Sequence, residues 1–187
     1  GQFQNLERAR LRLAIIVPLI LIGIFILVYT TFHSLKQTLL IFLTIPFAWT
    51  GGVISLYFAG IHFSVSAAVG FIALSGVAVL NGLVKITYLN QLRAEGHSVA
   101  QAVRMGAINR LRPVMMTALV ASLGFLPMVI NTGIGAEVQR PLAVVVLGGL
   151  VTATLMTLLL MPAIYLWLED DDKSVDSAIL KPRKMKK

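Results

Sequence analysis

Five long stretches of this chain, 13–32, 39–59, 65–84, 113–130 and 141–168, contain no charged side chain. Each is close to or above the ~18–20 residues that a helix needs to cross the ~30 Å hydrocarbon core of a bilayer. Helices of a water-soluble domain need a polar face, and these stretches have none. The expected fold is all-α: a polytopic bundle of five membrane-spanning helices.

Charge placement supports this. The charged fraction is 13%, against an average of roughly 25% for soluble domains. The net charge of +8 does not point to nucleic acid, because the basic residues flank the apolar stretches or cluster in the tail. With the N-terminus outside, Arg8, Arg10, Arg12 and Arg140 are outer. Lys36, Lys85, Arg93, Arg104, Arg110, Arg112 and six tail residues are inner, an asymmetry of twelve to four that favours N-out, C-in. Arg8, Arg10 and Arg12 conflict with this unless spans upstream have already set the orientation. The chain also starts with Gly and shows no signal peptide, so it reads as the C-terminal piece of a larger protein. Residues 1–168 are then one membrane unit, and residues 169–187, acidic first and basic last, a charged tail expected to be disordered.

Within the spans, 65–84 is rich in small residues. Ser66 with Gly70, and Ala78 with Gly82, form small-xxx-small pairs that let backbones approach closely, so this helix belongs inside the bundle. Asn81 lies in its inner half and should face a partner helix or a water-lined path. Between spans three and four, 90–112 is amphipathic, with Val99, Ala102, Val103 and Gly106 on one face and a Ser98/Gln101 capping box. It reads as a short helix along the cytoplasmic surface, ending where Pro113 opens span four as an N1 proline. Gly124 and Pro127 should interrupt span four, and Pro141 should open span five.

The catalytic classes fall away. The spans hold no Asp, Glu or His and no G-x-S-x-G elbow, which argues against an intramembrane protease. Without cysteine there is no disulfide or thiolate metal site. His62 lacks a second ligand nearby in sequence and reads as a headgroup-level loop residue. Met115, Met116, Met156 and Met161 could form a soft-metal path, although methionine also packs ordinary cores. Lys85, the one marginal intramembrane cation, is expected to snorkel to the headgroups.

Three runs carry a resemblance. One, from Ala67, contains Gly70-Phe71-Ile72-Ala73-Leu74-Ser75-Gly76 and ends Val79-Leu80-Asn81-Gly82. Another is Arg110-Leu111-Arg112-Pro113-Val114-Met115-Met116-Thr117, continuing to Phe125. The third is Gly133-Ile134-Gly135-Ala136-Glu137-Val138-Gln139-Arg140-Pro141. They resemble the resistance-nodulation-division (RND) efflux pumps in their heavy-metal exporting branch, and the likeness extends from Gly1 to about Leu168. It implies the last five of twelve transmembrane helices in a bacterial inner membrane, with a periplasmic N-terminus and a cytoplasmic C-terminus. The implied function is proton-driven export of divalent cations such as cobalt, zinc, cadmium or nickel. The implied partners are lipid, the missing N-terminal half, two further copies in a homotrimer, a periplasmic adaptor and an outer-membrane channel, with no cofactor and no nucleic acid. The metal ion is cargo and the proton gradient the energy source.

By the same resemblance Thr117, Asn81 and Arg110 match polar positions near the family's proton path. Leu80 stands where drug exporters have a lysine, and Lys85 replaces a usually apolar residue. The alternatives are a non-transporting membrane scaffold or assembly subunit, or a fragment of a drug-exporting pump.

Overall fold

The computed structural model describes residues 2–167, so the tail expected to be disordered lies outside the described residues. Helix α1 (Gln2–Phe32) passes a short turn into α2 (Leu35–Phe42) and α3 (Thr44–Phe58). Then come α4 (Val65–Ala94), α5 (Val99–Ile130) and α6 (Ala136–Leu155), the last running through a π-helical turn (Met156–Leu160) into helical residues 161–167. Among the described residues there is no strand. Five helical segments are long and apolar enough to cross a membrane, α2 and α3 together making the second.

Two faces result. The turns at 33–34 and 95–98 share one end of the bundle with Lys36, Arg93 and Arg104, here called the basic face; the turns at 59–64 and 131–135 lie at the opposite face. Each turn is written in the sequence. His33 adopts a left-handed backbone (φ 51°), a region that His tolerates better than most residues. Ser34 and Ser64 then cap α2 and α4, their hydroxyls accepting from the backbone N–H of Gln37 and Ala67 and so satisfying groups that a helix start leaves without partners. At Ser98 the full capping box forms, with the Gln101 side chain accepting from the Ser98 N–H at 3.1 Å.

Helix α4 packs against every other membrane helix, and α6 against α3, α4 and α5. The small residues explain both. A Cβ on Gly70 would stand 3.0 Å from the Leu142 carbonyl oxygen, and one on Gly51 would stand 2.6 Å from that of Gly148. Here two backbones touch with nothing between them, the arrangement that small residues permit in membranes. Ser55 Oγ donates across the same seam to the Val144 carbonyl at 2.9 Å, and Trp49 Nε1 donates to Ser75 Oγ at 2.8 Å between α3 and α4.

Several sequence expectations need correction. The amphipathic stretch 90–112 is not a separate surface helix. Its first residues finish α4, and from Val99 the chain is one helix that runs through Pro113 to Ile130. Its apolar face is as expected, since Val99, Ala102, Val103 and Gly106 are all buried. Pro113 and Pro127 lie inside α5, and Pro141 inside α6. Each proline removes one N–H and frees the carbonyl four residues back. In hydrocarbon no water competes for the remaining backbone groups, so leaving the helix costs more than one lost bond. The local rule that proline starts or stops a helix is therefore overridden.

Candidate functional site

Helical spacing assembles the one cluster of polar side chains within the spans that includes the residues singled out above. Asn81 and Lys85 are four apart and share a face of α4; Arg110, Val114 and Thr117 share a face of α5. The two faces line one cavity of about 220 Å³, with Leu80, Val84 and Pro113 as its apolar wall. The structure thus brings Asn81, Arg110 and Thr117 together.

The side chains there are held in different ways. The Arg110 guanidinium carbon sits 4.8 Å from the centroid of the Tyr88 ring, a cation–π contact. The Tyr88 hydroxyl accepts in turn from Asn109 Nδ2 at 2.9 Å. Thr117 Oγ1 donates to the Val114 carbonyl at 3.0 Å, bonding back onto its own helix. Its oxygen lone pairs stay available toward the cavity. Ser122, five residues further along α5, makes no such bond among the described residues.

Lys85 overturns its expectation. It is only 2% exposed and does not snorkel. Its Nζ is buried with no hydrogen-bond partner among the described residues, and it faces the cavity that Arg110 also lines. The sequence places it just past the charge-free stretch 65–84, where a lysine ordinarily reaches out to the headgroups, but α4 runs on to Ala94. Its spacing of four from Asn81 was the available signal. The cavity therefore holds two cations, an amide and a hydroxyl. The acidic residues whose side chains are described, Glu7, Glu95 and Glu137, all lie near helix ends or turns, away from it. Such a site can orient and stabilise an anion, or a water chain leading to one. Among the described residues its lining carries no carboxylate or imidazole to hold a divalent cation.

The metal readings fare accordingly. No group of three His, Asp or Glu side chains converges among the described residues, and His62 is exposed in its loop. Met115 and Met116 are exposed on α5, whereas Met156 and Met161 are buried in the core, so the four do not form one thioether path.

Five apolar helices packed through small residues, with a polar cavity between two of them, define a helical integral membrane protein. The chain belongs to the AcrB/AcrD/AcrF family, the RND transporters, whose family pattern matches residues 1–169. It is 57% identical over 165 residues to the cobalt-zinc-cadmium resistance protein CzcA of Cupriavidus metallidurans, covering 88% of this chain and 16% of that protein. It is 57% identical over 164 residues to the nickel and cobalt resistance protein CnrA of the same organism, covering 88% and 15%. Against the cation efflux system protein CusA of Escherichia coli the identity is 39% over 181 residues, covering 90% and 17%. A crystal structure of a heavy metal efflux pump superposes with a TM-score of 0.81 at 48% identity, covering 91% of this chain and 17% of that one. The chain thus spans about a sixth of the length of the relatives it matches.

Proposed function

We propose that this chain is the C-terminal membrane part of a proton-driven RND exporter of divalent metal cations, with cobalt, zinc, cadmium and nickel as the favoured cargo. The 57% identity to the cobalt-zinc-cadmium resistance protein carries the reading. The 57% identity to the nickel and cobalt resistance protein CnrA supports the choice of cargo. The chain would lie in a bacterial inner membrane with its basic face toward the cytoplasm, where basic loops are favoured. The working assembly would be a trimer joined to an adaptor and an outer-membrane channel. No cofactor is required; the gradient supplies the energy.

In this reading Asn81, Arg110 and Thr117 line the proton route, and Lys85 joins them. Transport driven by protons needs a group that changes charge within the membrane, and the spans of this chain hold no carboxylate. The carboxylates would come from the rest of the pump. The two cations hold such a group ionised until a proton neutralises it. The Thr117 hydroxyl and Asn81 amide would then exchange partners as the charge disappears.

The test uses a pump carrying this chain. Thr117→Ala should lower metal resistance more than Ser122→Ala at matched expression, because Thr117 lines the cavity and Ser122 does not. Equal, near-wild-type resistance for both would remove Thr117 from the route.

A further inference from the structure

Two membrane segments of this bundle are interrupted, and both interruptions have a proline at hand. Between α2 and α3 the helical bonding lapses for one residue, Leu43, whose own backbone stays helical (φ −61°, ψ −23°). Pro46 offers no N–H to the Phe42 carbonyl, and beside it the buried Thr44 hydroxyl donates to the Ile41 carbonyl at 2.6 Å. At the end of α6 the π-helical turn spans Met156–Leu160, with the Met161 N–H reaching back to the Met156 carbonyl. Pro162 follows directly. Such defects are established causes of bends in helices.

The two interruptions meet in space. Side-chain atoms of Ile41 and Met161, one residue beside each defect, both lie 3.3 Å from where a Cβ on Gly82 of α4 would be. They also coincide with a division of the core. Leu40, Ile41, Met161 and Tyr165 belong to one buried cluster, which reaches past Leu43 to Ile45, whereas Ala48, Val145 and Ala153 belong to another. The segments on the basic-face side, α2 and 161–167, are both tied to a single α4 side chain. Asn90 Oδ1 accepts from Gln37 Nε2 at 3.1 Å and from Tyr165 Oη at 3.0 Å, while Asn90 Nδ2 donates to Gln37 Oε1 at 2.9 Å.

We infer that α2 and residues 161–167 are a hinged pair, swinging at Leu43 and at Met156–Leu160 and latched to α4 through Asn90. Two defects with one shared fastening give a unit that moves together when the fastening opens. Helix α4, continuous past the same level, is the post against which it closes. The inference concerns this chain alone and does not rest on the transport reading.

The test is made on the 187-residue chain in lipid nanodiscs, with pairs of spin labels and distances read by pulsed electron resonance. Leu39/Val53 spans the first defect and Val151/Trp167 the second, at exposed positions; Val69/Thr87 lies along α4 as a control. Asn90→Leu should broaden the distance distributions of the first two pairs together and leave the control unchanged. Adding a deletion of Leu159, which removes the extra residue of the π turn, should narrow Val151/Trp167 again. Pro162→Ala, which returns the missing N–H, serves as a second repair. Unchanged widths in Asn90→Leu, or broadening of one defect pair alone, would overturn the hinged pair. Broadening of the α4 control would also overturn it, since Asn90 would then hold the whole fold. Failure of both repairs to narrow Val151/Trp167 would overturn the role of the π turn.

Discussion

Lys85 and Arg110, on neighbouring helices, face one cavity in which, among the described residues, no carboxylate stands between them. Arg110 leans on the Tyr88 ring, while the Lys85 ammonium is buried without a hydrogen-bond partner among the described residues. An unmet buried donor costs about 1–3 kcal/mol, and more when it is charged.

Replacing Lys85 should therefore separate stability from activity. Lys85→Met keeps the length of the side chain and removes the unpaired charge. The isolated chain in detergent should unfold at a higher temperature, by about 1–3 kcal/mol in stability, while a pump carrying the change should lose metal resistance. Thermal unfolding followed by tryptophan fluorescence, beside a resistance assay, reads both. A less stable chain would show that Lys85 is satisfied by contacts within the bundle.

The glycine seam between α3 and α6 makes a second prediction. A Cβ on Gly148 would stand 2.8 Å from the Gly51 carbonyl oxygen, and one on Gly149 would stand 2.9 Å from that of Ala48. Backbone cannot give way as a flexible side chain can, so Gly148→Ala and Gly149→Ala should each destabilise the bundle by about 1–3 kcal/mol. Gly23→Ala and Gly76→Ala meet nothing within 4 Å and should be neutral or slightly stabilising, since alanine is the better helix former. Unfolding midpoints of the four variants give the comparison. Similar losses at all four would mean that helix propensity, and not the seam, sets the outcome.

The orientation is also open to measurement. A single cysteine at Glu95, in the turn of the basic face, should be shielded from an impermeant thiol reagent in intact cells. One at Thr132, in the opposite turn, should be labelled. Both replaced residues are exposed, and Glu95 closes α4 through its backbone N–H, which a cysteine keeps, so the substitutions should leave the fold alone. The reverse pattern would turn the protein over and place the basic face outside.

Much of this fold is legible in the chain because hydrocarbon enforces one rule: a run without charges that is long enough to span becomes a helix. The same simplicity hides the details. Pro113, Pro127 and Pro141 carry strong local signals for a helix end, yet all three lie within helices, because the signals were learned where water can take over a freed carbonyl. The small residues of α4 did disclose a central helix, since Gly70 and Gly82 are useful only where something approaches closely. Of the candidate site, Asn81, Arg110 and Thr117 are singled out as a set only by the resemblance of their motifs, and the cavity they share follows from helical spacing once α4 and α5 are adjacent. Lys85 is not legible, because it closes a charge-free stretch but lies inside a helix that runs on to Ala94, and whether it reaches out or turns in depends on the neighbouring helix. The latch at Asn90 could not be seen at all. It joins residues 53 and 75 positions apart, and no local pattern announces such a pairing.

Transport by purified protein is the most direct test. A pump carrying this chain, reconstituted into proteoliposomes, should move zinc or cobalt only when a pH difference is imposed. Arg110→Ala should slow that flux by about tenfold or more, a loss of at least ~1.4 kcal/mol in the coupled step, while Ser122→Ala stays near wild type. Metal flux that is indifferent to the pH difference, or that is as fast in Arg110→Ala as in the wild type, would contradict proton-driven export through the cavity of Asn81, Lys85, Arg110 and Thr117.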